Sequence, residues 1–202
     1  MEWLLVIIVL AAAAALAVWL VNKRKKAAAP RPPEDFIGDQ NKHAADQLRM
    51  LQNGDVIEYL GHNWFVRGRL DFDEEGYRWT EHMLDDAETK RWLSVEDDES
   101  LEVSLWHAIA LGDIEQGQVG DRDVIVGGVA YRLQERGTAR FSATGATGTA
   151  PSGTCDYADY KSVDGRLLGF EKWGSSWEIS LGEVLQPWEL TVYPGTDRPA
   201  SL

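Results

Sequence analysis

Gly61-His62-Asn63-Trp64-Phe65-Val66-Arg67-Gly68-Arg69 returns 67 residues later as Gly128-Val129-Ala130-Tyr131-Arg132-Leu133-Gln134-Glu135-Arg136. Each stretch opens on glycine, sets a large ring and then an aliphatic residue two positions apart, and closes on arginine. A period of two marks a β-strand, whose successive side chains point to opposite faces. In the first stretch the pattern runs on: Trp64, Val66, Leu70 and Phe72 fall on one face, and Phe65, Arg67, Arg69 and Asp71 on the other. After the turn Asp73-Glu74-Glu75-Gly76, a second strand carries Tyr77, Trp79, Glu81 and Met83 along one face.

Two more matches keep the same order. Trp92-Leu93-Ser94-Val95-Glu96 corresponds to Leu167-Leu168-Gly169-Phe170-Glu171 at an offset of 75, and Leu101-Glu102-Val103-Ser104-Leu105 to Trp177-Glu178-Ile179-Ser180-Leu181 at 76. The growth in offset falls on residues 137–153, a run of small residues that reads as a flexible loop where the first copy has a tight acidic turn. The preserved order predicts an all-β domain built from two copies of one unit, about residues 54–107 and 122–193. Each copy would hold about five strands, and the two would pack around a pseudo-twofold axis as a sandwich or barrel. Residues 41–51 read as a short helix ahead of Asn53-Gly54.

The average composition conceals a division. The 202 residues carry a net charge of −13, but beyond Pro33 there are 15 basic and 32 acidic residues, a net −17. Such a domain lacks the clustered cations that displace counterions from phosphates, which argues against nucleic acid as a partner. Residues 3–21, by contrast, hold no charged side chain. At 1.5 Å per residue they span about 28 Å, close to the hydrocarbon thickness of a bilayer. Trp3 and Trp19 lie near the two ends, and Lys23, Arg24, Lys25 and Lys26 follow. The expectation is an uncleaved single-pass anchor over residues 1–26 in the cell membrane, N-terminus outside and the remainder cytoplasmic, because the basic cluster stays inside. A signal peptide would need its basic residues on the other side of the apolar run. Residues 27–41, with Pro30, Pro32 and Pro33, read as a semi-rigid linker, residues 42–195 as the duplicated β-domain and residues 196–202 as a tail.

Several short motifs, in order, carry a family resemblance: Gly54-Asp55-Val56-Ile57-Glu58-Tyr59, Trp64-Phe65-Val66-Arg67-Gly68, Tyr77-Arg78-Trp79-Thr80-Glu81, Trp92-Leu93-Ser94-Val95-Glu96, Glu171-Lys172-Trp173-Gly174 and Trp177-Glu178-Ile179-Ser180-Leu181-Gly182. Over roughly residues 50–195 the chain resembles the bacterial domain-of-unknown-function family 4178. The resemblance implies an anchored component of an actinobacterial membrane-associated stress system, alongside small membrane proteins and aminopropyltransferase-like proteins. It carries no catalytic residue across.

The chemical constellations are few. Asp71, Asp73, Glu75 and Gly76 have the opening spacing of a calcium loop, but position 12 is His82, and the flanks alternate as strands do, so a hairpin turn is the better reading. Glu81 and His82, adjacent on a strand, point to opposite faces and do not readily share a site. Cys155 alone closes no intramolecular disulfide and has no zinc-ligand spacing around it. No metal or other cofactor is expected, and no catalytic set.

Glu96 and Glu171 are acids retained by the duplication, as Arg69 and Arg136 are retained bases. One reading is a cross-strand ion pair in each copy. The other joins Glu96 and Glu171 across the pseudo-twofold, with Trp92 and Trp173 as walls and Trp79 and Glu81 nearby, as a site for a cationic ligand. The expected function is a non-enzymatic scaffold or sensor with protein partners at the inner membrane face. The alternatives are a binder of polyamine or another small cation, and a hydrolase using Glu96, Glu171 or the Glu81 region.

Overall fold

The computed structural model describes residues 37–196. The apolar run, the basic cluster, most of the linker and the end of the tail lie outside the described residues, and among the described residues no helix is long and apolar enough to cross a membrane. A helix, α1 (Ile37–Arg49), begins inside the stretch expected to be linker and covers most of the short helix expected over residues 41–51. Leu48 at its end and Leu51 just beyond it are buried.

Twelve strands follow, and every pairing among them is antiparallel. The first copy comprises β1 (Val56–Tyr59), β2 (His62–Glu74), β3 (Tyr77–Asp85), β4 (Lys90–Asp97), β5 (Leu101–Ile109) and β6 (Ile114–Gln116). The second comprises β7 (Asp123–Val126), β8 (Val129–Gly145), β9 (Ser152–Ser162), β10 (Leu167–Trp173), β11 (Ser176–Leu185) and β12 (Leu190–Tyr193). Each copy therefore has six strands, one more than the alternation had indicated. The same turn recurs in both: Leu60-Gly61 and Gly127-Gly128 are two-residue hairpin loops with positive φ at both positions, the geometry that matches strand twist. Glu75-Gly76 closes the β2–β3 hairpin in the same way, so the calcium-like spacing belongs to a turn.

The strands β2-β3-β4-β5-β11-β10-β9-β8 form an eight-stranded antiparallel barrel, closed by pairing of β2 with β8. Of the two architectures the repeat allowed, the barrel is the one adopted. Its long strands serve two partners on one edge. In β2, His62 to Phe65 pair with β1, and Gly68 to Asp73 pair with β8. The register of β5 against β11 is symmetric about Trp106 opposite Gly182, with Val103 facing Leu185 and Ile109 facing Ile179. At that point the Trp106 indole lies over the facing strand. The chain sets Trp106 against Gly182, where a Cβ would lie 2.5 Å from the indole.

Residues 137–153 are not a flexible loop. Residues 137–145 belong to β8, which pairs with β2 and β9, and only residues 146–151 connect it to β9. Small residues occur there because neighbours press close: a Cβ on Gly137 would lie 2.1 Å from the Glu74 carboxylate, and Ala139 is fully buried.

Both long strands carry a register shift at the same place in the repeat, between Val66 and Gly68 in β2 and between Leu133 and Glu135 in β8. A one-residue shift turns the side chains that follow to the other face. Trp64 and Val66 enter one core, while Leu70 and Phe72 enter another. Three clusters result. The first copy surrounds a core that includes Ile57, Leu93, Val95 and Val103, completed by Leu48 and Leu51 and by Leu185, Leu190 and Val192 from the second copy. The second copy surrounds Val124, Tyr131, Leu168, Phe170 and Ile179, with Ile109 and Ile114 of the first copy packed against it. Each copy thus lends its final strand to the other. The third cluster, Leu70, Phe72, Ala139, Phe141 and Cys155, fills one region of the barrel interior.

Candidate functional site

The opposite face of the same strands lines the barrel lumen. On β4, Leu93 and Val95 enter the first copy's core, so Trp92, Ser94 and Glu96 face inward; on β10, Leu168 and Phe170 leave Gly169, Glu171 and Trp173 inward. Neighbouring strands extend the pattern in matching pairs. Trp79 lies opposite Glu96 as Tyr157 lies opposite Glu171, and Glu81 lies opposite Ser94 as Asp159 lies opposite Gly169. One strand further, Glu96 faces Glu102 and Glu171 faces Glu178. Like charges directly opposite on a sheet repel, and the Glu178 charge acts on Glu171 in this way.

A cavity of about 330 Å³ opens among these groups and takes lining residues from seven of the eight barrel strands. Tyr77, Trp79, Trp106 and Tyr157 supply aromatic wall, Glu81, Glu96, Glu102, Glu135, Asp159 and Glu171 supply acid, and Lys161 is the basic lining residue. A smaller cavity of about 40 Å³ adjoins it between Trp92 and Trp106, bordered by Glu81, Asp159 and Glu171. The Trp79 and Tyr157 rings, counterparts in the repeat, meet edge to face at 5.8 Å.

Burial and crowding raise Glu81, Asp159 and Glu171 above the ordinary carboxylate range. Glu81 is pushed up to about 7, by burial first and the Asp159 charge second, against a hydrogen bond from Trp79. Asp159 is also pushed up to about 7, by burial and then by Glu135 and Glu96. Glu171 is raised well above the carboxylate range by burial, then by Glu81, Asp159 and Glu178, with a hydrogen bond from Trp173 opposing. All three retain some surface and line both cavities, while their carboxyls pay the desolvation of an interior position. Asp159 is the extreme case: among the described residues no hydrogen bond or ion pair reaches its carboxyl.

Of the residues singled out from the repeat, Glu96, Glu171, Trp79 and Glu81 line the larger cavity. Trp92 borders the smaller one. Trp173 packs edge-on against Phe141 at 4.9 Å, in the apolar part of the lumen. The alternative, an arginine–glutamate pair in each copy, is not formed: Arg69 binds Asp71, and no ion pair holds Arg136 among the described residues. His82 faces away from Glu81. It is 1 % exposed, shares a hydrogen bond with Thr80 Oγ1 at 3.1 Å, and leaves Nδ1 without a partner. Asp73, in the calcium-like stretch, is taken by Arg78 and Arg140 at 2.8 and 3.2 Å. Among the described residues no three His, Cys, Asp or Glu side chains converge as metal ligands.

The match to known proteins covers this same region. A family model for a domain of unknown function, number 4178, matches residues 52–187. The chain belongs to that family. Uncharacterised proteins of Mycobacterium tuberculosis and Mycobacterium bovis are 34% identical to it over 178 residues, covering 82% of this chain and 84% of each relative. No solved structure matches the chain.

Asp159, Glu135, Glu102, Trp106, Tyr77 and Tyr157 line the cavity without having been singled out from the sequence as site residues. The signal for two of them was present: Trp79-Thr80-Glu81-His82 matches Tyr157-Ala158-Asp159-Tyr160 as aromatic, small, acid, ring. Its offset is 78, out of step with 67, 75 and 76, because the β8–β9 hairpin is longer than β2–β3 while the stretch from Asp159 to Glu171 is shorter than that from Glu81 to Glu96.

Proposed function

We propose that this family member is a membrane-tethered binding module whose barrel lumen takes an organic cation and whose occupancy is sensed by protein partners at the inner membrane face. The observation that carries the reading is the unpaired Asp159 carboxyl, set with Glu81 and Glu171 in an aromatic-walled cavity large enough for a small molecule. Carboxylates combined with the faces and edges of Trp and Tyr favour an ammonium that carries an apolar skeleton. A bare metal ion would need several acids converging on one point, and they are dispersed. The tether rests on the uncharged run of residues 3–21 and the four basic residues after it, which favour a cytoplasmic domain.

The test is titration of the purified full chain with spermidine, followed by tryptophan emission and calorimetry. Saturation at low millimolar ligand or below is expected, because Trp79 and Trp106 line the cavity; no saturable change sinks the reading. Protease added to intact cells should spare the domain, and digestion would reverse the orientation. Acids titrating near 7 also suit general acid–base work, which keeps a hydrolase as the second reading. That reading requires a hydrolytic activity that disappears when Glu81 and Glu171 are replaced by Gln.

A further inference from the structure

Organic-cation binding alone leaves open how many charges the ligand carries, and the arrangement of the lumen bears on that. Glu96 and Glu171 are counterparts in the repeat, as are Glu81 and Asp159. Around the barrel, Glu96 on β4 and Glu81 on β3 precede the closing β2–β8 pair, and Asp159 on β9 and Glu171 on β10 follow it. Glu96 and Glu171 therefore stand on either side of a central Glu81–Asp159 pair, and all four line one cavity. The acids form a row that straddles the pseudo-twofold, not a knot. Trp79 and Tyr157, each opposite one of the outer glutamates, meet edge to face at 5.8 Å and line the same cavity.

We infer that the ligand is a linear polyammonium lying along this row, with one terminal ammonium at Glu96, the other at Glu171, and its aliphatic chain against Trp79 and Tyr157. A single ammonium satisfies the central pair and leaves both outer acids unneutralised. A compact dication reaches one end only. A chain with separated charges meets the whole row, and methylene segments between its nitrogens suit the aromatic surface between the acids. The inference rests on the organic-cation reading of the same cavity and extends it to ligand shape and charge spacing.

The test compares n-butylammonium, 1,4-diaminobutane and spermidine on the full chain at fixed ionic strength. Affinity should rise by about tenfold or more from the monoamine to spermidine, the scale of one added charge-assisted contact. Glu96→Gln and Glu171→Gln should each weaken spermidine about tenfold and n-butylammonium by a clearly smaller factor, whereas Asp159→Asn should weaken both alike. These exchanges preserve size and remove repulsion, and a thermal melt of each variant reports that it folds. Equal affinity for n-butylammonium and spermidine overturns the polyammonium inference while leaving organic-cation binding intact. Failure of all three ligands overturns the binding reading itself. Spermidine binding unchanged in both outer variants assigns the polyamine to the acidic exterior and likewise overturns the inference.

Discussion

The two outer cores and the lumen between them are built by the same strands and could hardly differ more. On β4 and β10 the residues Leu93, Val95, Leu168 and Phe170 face outer cores in which they are at most 5 % exposed. The alternate residues, Ser94, Glu96, Gly169 and Glu171, face a cavity edged by acid. Each outer core is completed by the other copy's last strand, so cohesion between the copies comes from dry apolar contact. The lumen adds the apolar cluster around Leu70, Phe72 and Phe141 in one region and repulsion among the acids in the other. Stability and the candidate site therefore occupy opposite faces of one sheet, and the lumen is free to hold groups that a core would not tolerate.

Substitutions should separate the two faces. The largest effect is expected for Phe170→Ala, which opens a cavity in the second copy's core where the ring is 0 % exposed. Urea denaturation should register a loss of about 3 to 5 kcal/mol; a loss below about 1 kcal/mol would mean that the outer core does not hold the barrel. Gly182→Val drives a side chain into Trp106 and should destabilise by about 1 to 3 kcal/mol, with a shift in tryptophan emission. An unchanged emission spectrum would argue against the Trp106 placement at the centre of the β5–β11 register.

Next in size is the pH response of the lumen. Glu81 and Asp159 are raised to about 7 in the folded state, so the folded chain holds protons that the unfolded chain has released. Stability should then rise as pH falls from 8 to 6.5, by roughly 1 kcal/mol for each group, and Glu81→Gln should flatten the rise. Below pH 6.5 His82 opposes it. Burial lowers this imidazole to about 3, so the stability it contributes is present above its ordinary value of 6.5 and is lost as pH falls toward 3. A melting temperature that falls steadily from pH 8 to 6.5 would contradict the crowded-acid lumen. The smallest effect belongs to the exterior. Arg49→Ala removes exposed contacts to Asp46 and Asp97 and should change stability by about 1 kcal/mol or less.

Much of the fold could be read from residues alone, and the limits have identifiable causes. The alternation of Trp64, Val66, Leu70 and Phe72 announced a buried strand face, and all four are buried. What alternation could not convey is that Val66 and Leu70 enter different cores, because a register shift leaves no mark in hydropathy. Residues 137–153 misled for a related reason: Gly and Ala serve close packing as well as flexibility, and the neighbour that decides between them, Glu74, is more than sixty residues away. Glu96, Glu171, Trp79 and Glu81 came forward through the repeat and the aromatic pattern. Asp159 did not, because its match to Glu81 falls at a different offset.

The sequence by itself determined the recurrence of short motifs in order, the strand periodicity and the separation of an uncharged N-terminal run from a strongly acidic body, since each depends on spacing and composition along the chain. Tertiary structure alone decided which strand face points inward. The polar face of an amphipathic strand ordinarily meets solvent. Here the long-range pairing of β2 with β8 closes the sheet around that polar face, while α1 and the exchanged end strands cover the apolar one. The residues that would read as a solvated surface thereby become a crowded, proton-holding interior.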